Sequence, residues 1–209
     1  FTFTLKSLSI MFENIFKIKI TGVSTNIKIL IGLAYFNHNN RLLATKMFKD
    51  AELLIETHTY QLTIEEQEKV SVFYHNYATI LKIMKIDDKM SDNLTQKSLH
   101  LQKQLIDNDF LSNSVNYLLF SSSYAVESAE KGRRGEAEFW VNETLQTADK
   151  MHEVNADLDF VLAVSYINAG TTYLKLDNRK MKRICYRKAL EICNRRSEKI
   201  FIELARNLR

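Results

Sequence analysis

The chain of 209 residues has no proline, only five glycines and two cysteines. Proline and glycine punctuate hairpins and sheet edges, so their scarcity puts all-β and doubly wound α/β folds far behind helical ones. Two cysteines are too few for a disulfide-stapled secreted scaffold. Cys185 and Cys193 lie eight residues apart, outside the CxxC spacing and too distant along one helix to bond each other. Their usage fits a reducing, intracellular compartment, cytoplasmic or mitochondrial. No apolar run approaches the ~18 residues that a membrane-spanning helix requires, so no integral membrane segment is expected. What is abundant is the material of a folded core: 45% apolar, 11% aromatic and 26% charged residues, enough for one domain or two small ones.

Catalytic patterns are missing as well. The five histidines, His38, His58, His75, His100 and His152, are scattered and form no HExxH or Cys/His ligand set. No GxSxG, GxGxxG or GxxxxGK occurs. Glu65, Glu66 and Glu68 crowd the start of an expected helix, where carboxylates favour the macrodipole. Cys185 and Cys193 fall near one apolar stripe with Met181, Ile184 and Ile192, as core residues would. The expectation is a protein that is not an enzyme and uses no cofactor or metal.

Charge is unevenly spread. The net charge is +4, yet residues 175–209 carry 12 of the 29 Lys and Arg and only four of the 25 Asp and Glu, so this tail is +8 and the rest is −4. Arg179, Arg183 and Arg187 recur every four residues and form one ridge of a helix, with Lys180 and Lys182 beside them. Such a basic end suits an acidic protein, an anionic lipid surface or a phosphate backbone, or is a solvated helix face; of these an acidic protein partner is expected and nucleic acid is not. At the other end, residues 1–23 hold two short period-two runs, around Phe1 to Leu5 and Phe16 to Ile20. This segment reads as a capping helix, as an arm packing on another protein, or as the remnant of an organellar targeting region, though such peptides favour arginine and it has none.

Between these ends the sequence repeats. In residues 27–51, Ile31-Gly32 is followed by Tyr35, then Ala44, Phe48 and Ala51; near the end, Ala169-Gly170 is followed by Tyr173, Tyr186 and Ala189. Weaker copies run through Tyr77-Ala78 and Tyr124-Ala125, the first with extra residues at its turn. The small-residue markers Gly32, Ala78, Ala125 and Gly170 stand 46, 47 and 45 apart. Small residues let paired helices approach while the aromatics fill the space beside them. The pattern resembles the tetratricopeptide repeat, lengthened by about twelve residues over its usual ~34. It is similar to the extended repeats of kinesin light chains, of Rap/PlcR-like peptide-sensing regulators and of the repeat-containing assembly factor of mitochondrial complex III. In the last copy Lys182 departs from the expected small residue.

Helices are predicted near 24–38, 40–57, 63–85, 88–106, 109–131, 134–151, 155–175, 178–194 and 197–208, with turns at Asn37 to Asn40, Asp87-Asp88 and Gly132 to Gly135. Thr63 with Glu66 has capping-box spacing, and Asn178 and Ser197 read as N-caps. The last segment carries Ile200, Leu204 and Leu208 on one stripe, with Phe201 and Ala205 near it. The resemblance implies an all-α, right-handed superhelical solenoid of antiparallel helix pairs: an N-terminal segment 1–23, about four repeats over 24–196 and a capping helix over 197–209. It also implies a concave face lined by the first helix of each pair. There Asn76 and Asn168 stand two residues before their markers, where related proteins use asparagine to bond an extended peptide; Ser123 and Leu30 take that place in the other copies. The basic residues with which some chaperone-binding members hold a terminal carboxylate are replaced here by Val72, Thr79, Val126 and Thr171. The expected function is a protein-binding scaffold or assembly subunit, with a peptide-sensing regulatory domain as the alternative.

Overall fold

In the computed structural model residues 32–58, 62–106, 110–152 and 158–208 are described; their regular structure is helical, and no strand occurs among them. A helical segment over 32–37 leads into α1 (Arg41–His58), α2 (Ile64–Met84), α3 (Asp88–Ile106), α4 (Phe110–Glu130), α5 (Arg134–His152), α6 (Asp159–Lys175), α7 (Arg179–Asn194) and α8 (Lys199–Asn207). These bounds agree with the predicted helices to within a few residues. The N-terminal segment 1–23 and the beginning of the helix expected from residue 24 lie outside the described residues. From α1 to α7 the helices run 16 to 21 residues, so the surplus length of the repeat is spent in the helices themselves.

The four markers count off one shared stop signal. Seven residues after Gly32, Ala78, Ala125 and Gly170 come Asn39, Lys85, Gly132 and Asp177, with φ of 56°, 52°, 72° and 57°. The next amide then reaches back five residues: Asn40 N–H to the Tyr35 carbonyl at 2.8 Å, Ile86 to Leu81 at 3.2 Å, Arg133 to Ser128 at 2.8 Å and Asn178 to Tyr173 at 2.8 Å. This left-handed stop satisfies carbonyls that the helix end would otherwise leave open. The following helix is then capped by a side chain: Asn40, Asp87 and Asn178 accept from the amides of Leu43, Met90 and Met181 at 3.3, 2.8 and 3.1 Å. Asp87 comes one place later than the others, so the extra length expected at that turn is one residue. Gly135, which the sequence groups with a turn, lies inside the first turn of α5.

The chain forms two compact units that meet between Leu105 and Ile106, within the stretch read as one repeat array. In the first, Phe48, Ile55, Phe73, Tyr77, Leu81 and Leu94 share a core, with the Phe48 and Tyr77 rings 5.3 Å apart. Where α1 buries Ala44, Phe48, Ala51 and Ile55, α3 buries Ser91, Thr95, Ser98 and Gln102. Burial without a partner would be costly, and the hydroxyls are matched. Ser91 donates to the Ala78 carbonyl at 2.9 Å, Ser98 to the Ser71 carbonyl at 2.7 Å, and the Gln102 amide to the Ser71 hydroxyl. The residue numbers fall on α2 as they rise on α3, so the pair is antiparallel.

The second unit has its own core. Leu118, Ala148, Leu162, Tyr166, Ala189, Ile192 and Cys193 form its centre. Gly170 faces the ring of Tyr186, and Lys182 is accommodated because its ammonium rides 5.5 Å above that ring instead of entering the contact. Thr63 and Glu66 form the expected capping box, with Glu66 accepting from the Thr63 amide at 2.9 Å. Ser197 does not cap α8: the N-cap is Glu198, and no side chain bonds the first amides there. On α8 Phe201 and Ala205 are buried and Leu204 and Leu208 pack beside them as expected, whereas Ile200 is exposed, so the packed stripe is centred nearer Phe201 and Ala205.

Candidate functional site

Among the described residues no group of three His, Cys, Asp or Glu is placed to hold a metal ion. Cys185 and Cys193 are free and buried; burial pushes the Cys185 thiol up to about 11 and raises that of Cys193 as well. A thiol so placed is a poor nucleophile.

The two asparagines sit differently. Asn76 is buried within the first unit, with 4% of its surface exposed. Asn168 is half-buried and donates its side-chain N–H to the Ser122 hydroxyl at 3.1 Å, 46 residues away and one repeat back. Its amide therefore joins two helices of the second unit, and Ser122, not the neighbouring Ser123, is the repeat partner it uses.

Within each unit, successive helix pairs are tied by two devices that sequence reading missed. The first is an arginine at the start of a pair's second helix, nine places after the marker. Arg41 donates to the Met84 carbonyl at 3.1 Å and Arg134 to the Leu176 carbonyl at 3.4 Å. Each arginine thus meets the C-terminal end of the next pair's first helix, where the macrodipole is negative and carbonyls lack helical partners.

The second device is a trio of acid, lysine and tyrosine. The Lys97 ammonium lies 2.9 Å from Glu52, 2.6 Å from Glu56 and 5.5 Å from the Tyr74 ring centroid. Lys188 lies 2.6 Å from Asp149 and 5.1 Å from the centre of Tyr166, whose hydroxyl also donates to Asp149. Burial works against charge on Lys97, but the hydrogen bonds to Glu52 and Glu56 outweigh it and hold the ammonium above its ordinary range. Burial pushes the Tyr74 hydroxyl up to about 12. Open clefts flank both trios, about 420 Å³ beside Tyr74 and Lys97 and about 720 Å³ beside Tyr166 and Lys188. Corresponding members stand 91 to 93 residues apart, twice the repeat. At the intermediate places, allowing for the extra turn residue, stand Asp88 for the arginine and Lys103, Ser121 and Glu143 for the trio.

The basic ridge can now be placed. Counting from their markers, Arg179 corresponds to Arg41 and Arg134, Arg183 to Thr45 and Glu138, and Arg187 to Lys49 and Asn142. In the first unit the Thr45 carbonyl accepts from the Tyr77 hydroxyl at 3.5 Å; in the second the Asn142 side chain accepts from the Tyr173 hydroxyl at 2.8 Å. The three arginines thus occupy the edge by which earlier pairs meet the first helix of the next. All three are exposed. Arg179 approaches Asp177 only at 3.8 Å and Arg187 approaches Glu191 at 3.7 Å, while Arg183 has no ion-pair partner among the described residues. The signal that could have located this edge is the constant offset from the small-residue marker.

No family model and no curated protein matches the sequence. Among solved structures the chain is similar in fold to BtubC (BKLC) from P. vanneervenii, with a TM-score of 0.59 and 17% sequence identity over 91% of this chain and 73% of that one. The likeness establishes an all-helical, repeat-like architecture, and no helix among the described residues is long and apolar enough to cross a membrane.

Proposed function

We propose that this chain is a non-catalytic scaffold or assembly subunit of the tetratricopeptide type. Its helix pairs continue as a right-handed solenoid, with first-helix faces that hold a partner segment and a basic C-terminal edge that takes an acidic partner. The observation that carries this reading is the exposure of Arg179, Arg183 and Arg187 on a stacking edge, with two long ion pairs among them in the described residues. The repeat framework holds this edge rigid, so binding loses little ordering entropy. Exposed charges contribute about 0–1 kcal/mol each and are screened by salt, so several together act mainly on the association rate. Asn168 supports a groove role less strongly than the ridge supports an edge role, because its amide is engaged by Ser122.

The test is quantitative capture of partners by the full chain and by the Arg179→Glu, Arg183→Glu, Arg187→Glu triple variant at low and moderate ionic strength. The expected result is an unchanged melting temperature and a salt-dependent loss of one defined partner. Equal capture by a folded triple variant at low salt would remove the edge from the reading and leave the first-helix faces.

A further inference from the structure

The clefts beside the two trios are built on the same positions. On α3, Lys97, His100, Leu101 and Gln104 line the cleft of about 420 Å³, with Tyr74 of α2 at its side. On α7, Lys188, Glu191, Ile192 and Arg195 line the cleft of about 720 Å³, with Tyr166 of α6 and Asp149 of α5 at its side. The four α7 residues stand 91 places after the four on α3. A hollow that recurs in both units comes from the packing of helix pairs, but its charges do not: where the first cleft has His100 and Gln104, the second has Glu191 and Arg195. The trio in the second cleft is satisfied within itself, since Asp149 lies 2.6 Å from the Lys188 ammonium and also accepts from the Tyr166 hydroxyl. Glu191 and Arg195 are exposed. Glu191 approaches Arg187 at 3.7 Å, and the Arg195 side chain has neither a hydrogen bond nor an ion pair among the described residues.

We infer that the cleft beside Lys188 binds an extended segment of a partner protein in which an acidic and a basic side chain stand two residues apart, the acid on Arg195 and the base on Glu191. The spacing is matched. Glu191 and Arg195 are four residues apart on one helical ridge, about 6 Å along its axis. In an extended chain, side chains two residues apart share one face at about 6.7 Å. The guanidinium fork takes a carboxylate through two parallel N–H bonds, and an ammonium opposite Glu191 supplies a closer partner than Arg187 does. Glu191 repels an all-acidic segment, while Arg195 and Lys188 repel an all-basic one, so the cleft selects a charge pattern and not a net charge. Its volume falls within the range of ligand-binding clefts, and Ile192 and the Tyr166 ring supply the apolar part of the lining. The site uses none of the three arginines of the stacking edge as a contact and stands beyond the scaffold reading.

The experiment measures the fluorescence anisotropy of two labelled peptides with the full chain at low ionic strength. Both are short, threonine-rich and blocked at their ends, with two lysines and one glutamate. One carries the order Lys-Thr-Glu-Thr-Lys, which reads the same in either direction. The other carries Lys-Glu-Lys, in which neighbouring side chains of an extended chain point to opposite faces. The alternating peptide is expected to bind about fivefold more tightly than the contiguous one. Arg195→Gln, which makes this position like Gln104, and Glu191→Gln are each expected to remove that preference at an unchanged melting temperature. Gln104→Ala in the first cleft and Arg179→Gln on the edge are expected to keep it. Equal binding of the two peptides, or binding of neither, overturns the inference. Tighter binding of an all-glutamate peptide overturns it as well, by showing an unselective basic surface, and concentration-dependent self-association lost with Arg195→Gln does so by making a second copy the occupant. None of these outcomes decides the capture result for the Arg179, Arg183 and Arg187 triple variant, so the two readings fail separately.

Discussion

Gly170 and Tyr186 are packed so closely that a Cβ on the glycine would lie 2.2 Å from Cε1 of the ring. The ring's hydroxyl is 3.2 Å from the Thr171 hydroxyl, a hydrogen bond that a displaced ring would give up. The same pair in the first repeat, Gly32 and Phe48, is looser, with the nearest ring carbon at 2.9 Å. Gly170→Leu should therefore cost roughly 1–3 kcal/mol or more by overpacking, and Gly170→Ala should cost more than Gly32→Ala. Melting curves of the alanine pair check the ranking; equal stabilities would show that Tyr186 has room to move.

His75 makes stability depend on pH. Burial, with Lys82 nearby, pushes its imidazole down to about 3 from an ordinary value near 6.5. At neutral pH the ring is uncharged in both states. Between about pH 6.5 and about pH 3 the unfolded chain binds a proton that the folded chain does not, so stability falls as pH falls, by up to about 1.4 kcal/mol per pH unit. His75→Gln should flatten that part of the profile. Urea midpoints near pH 7 and near pH 5 test it: a slope retained in the variant would assign the effect to another group.

The two trios should differ in what their lysines contribute. Glu52 beside Lys97 is only 12% exposed, whereas Asp149 beside Lys188 is 51% exposed. Lys97→Met removes the cation next to a largely desolvated carboxylate and should cost about 1–2 kcal/mol, while Lys188→Met should stay within about 1 kcal/mol. Raising the salt concentration should narrow the Lys188 effect more than the Lys97 effect. Chemical denaturation of both variants at two salt concentrations decides between this ranking and its reverse.

Capping offers a paired comparison. Thr63→Ala removes the hydroxyl that accepts from the Glu66 amide and should cost about 0.5–2 kcal/mol. Ser197→Ala should leave stability nearly unchanged, because the N-cap of α8 is Glu198. A large loss at Ser197 would contradict the observed helix start.

Much of the fold was legible because close helix approach imposes a small residue, and Gly32, Ala78, Ala125 and Gly170 recur at a nearly fixed interval. Thr63 and Asn178 were readable for a different reason: capping is local, so its partners lie within three residues. The arginine clasps and the lysine–acid pairs of the trios join residues about 40 apart, and no local periodicity records them. The basic ridge was visible as charge, but its meaning depends on Arg41 and Arg134, which do not stand out in the sequence until the stop at Asn39, Lys85, Gly132 and Asp177 sets a common register. Ser197 was misread because serine is a good N-cap in general, and nothing nearby distinguishes it from Glu198.

The ties between pairs recur about every 92 residues, although the fold repeats about every 46. At the intermediate places stand Asp88, Lys103, Ser121 and Glu143, which supply neither the arginine nor the lysine and tyrosine of the trio. Each tie therefore lies inside one compact unit, and a substitution at Arg41 or Lys97 acts on the first unit while one at Arg134 or Lys188 acts on the second.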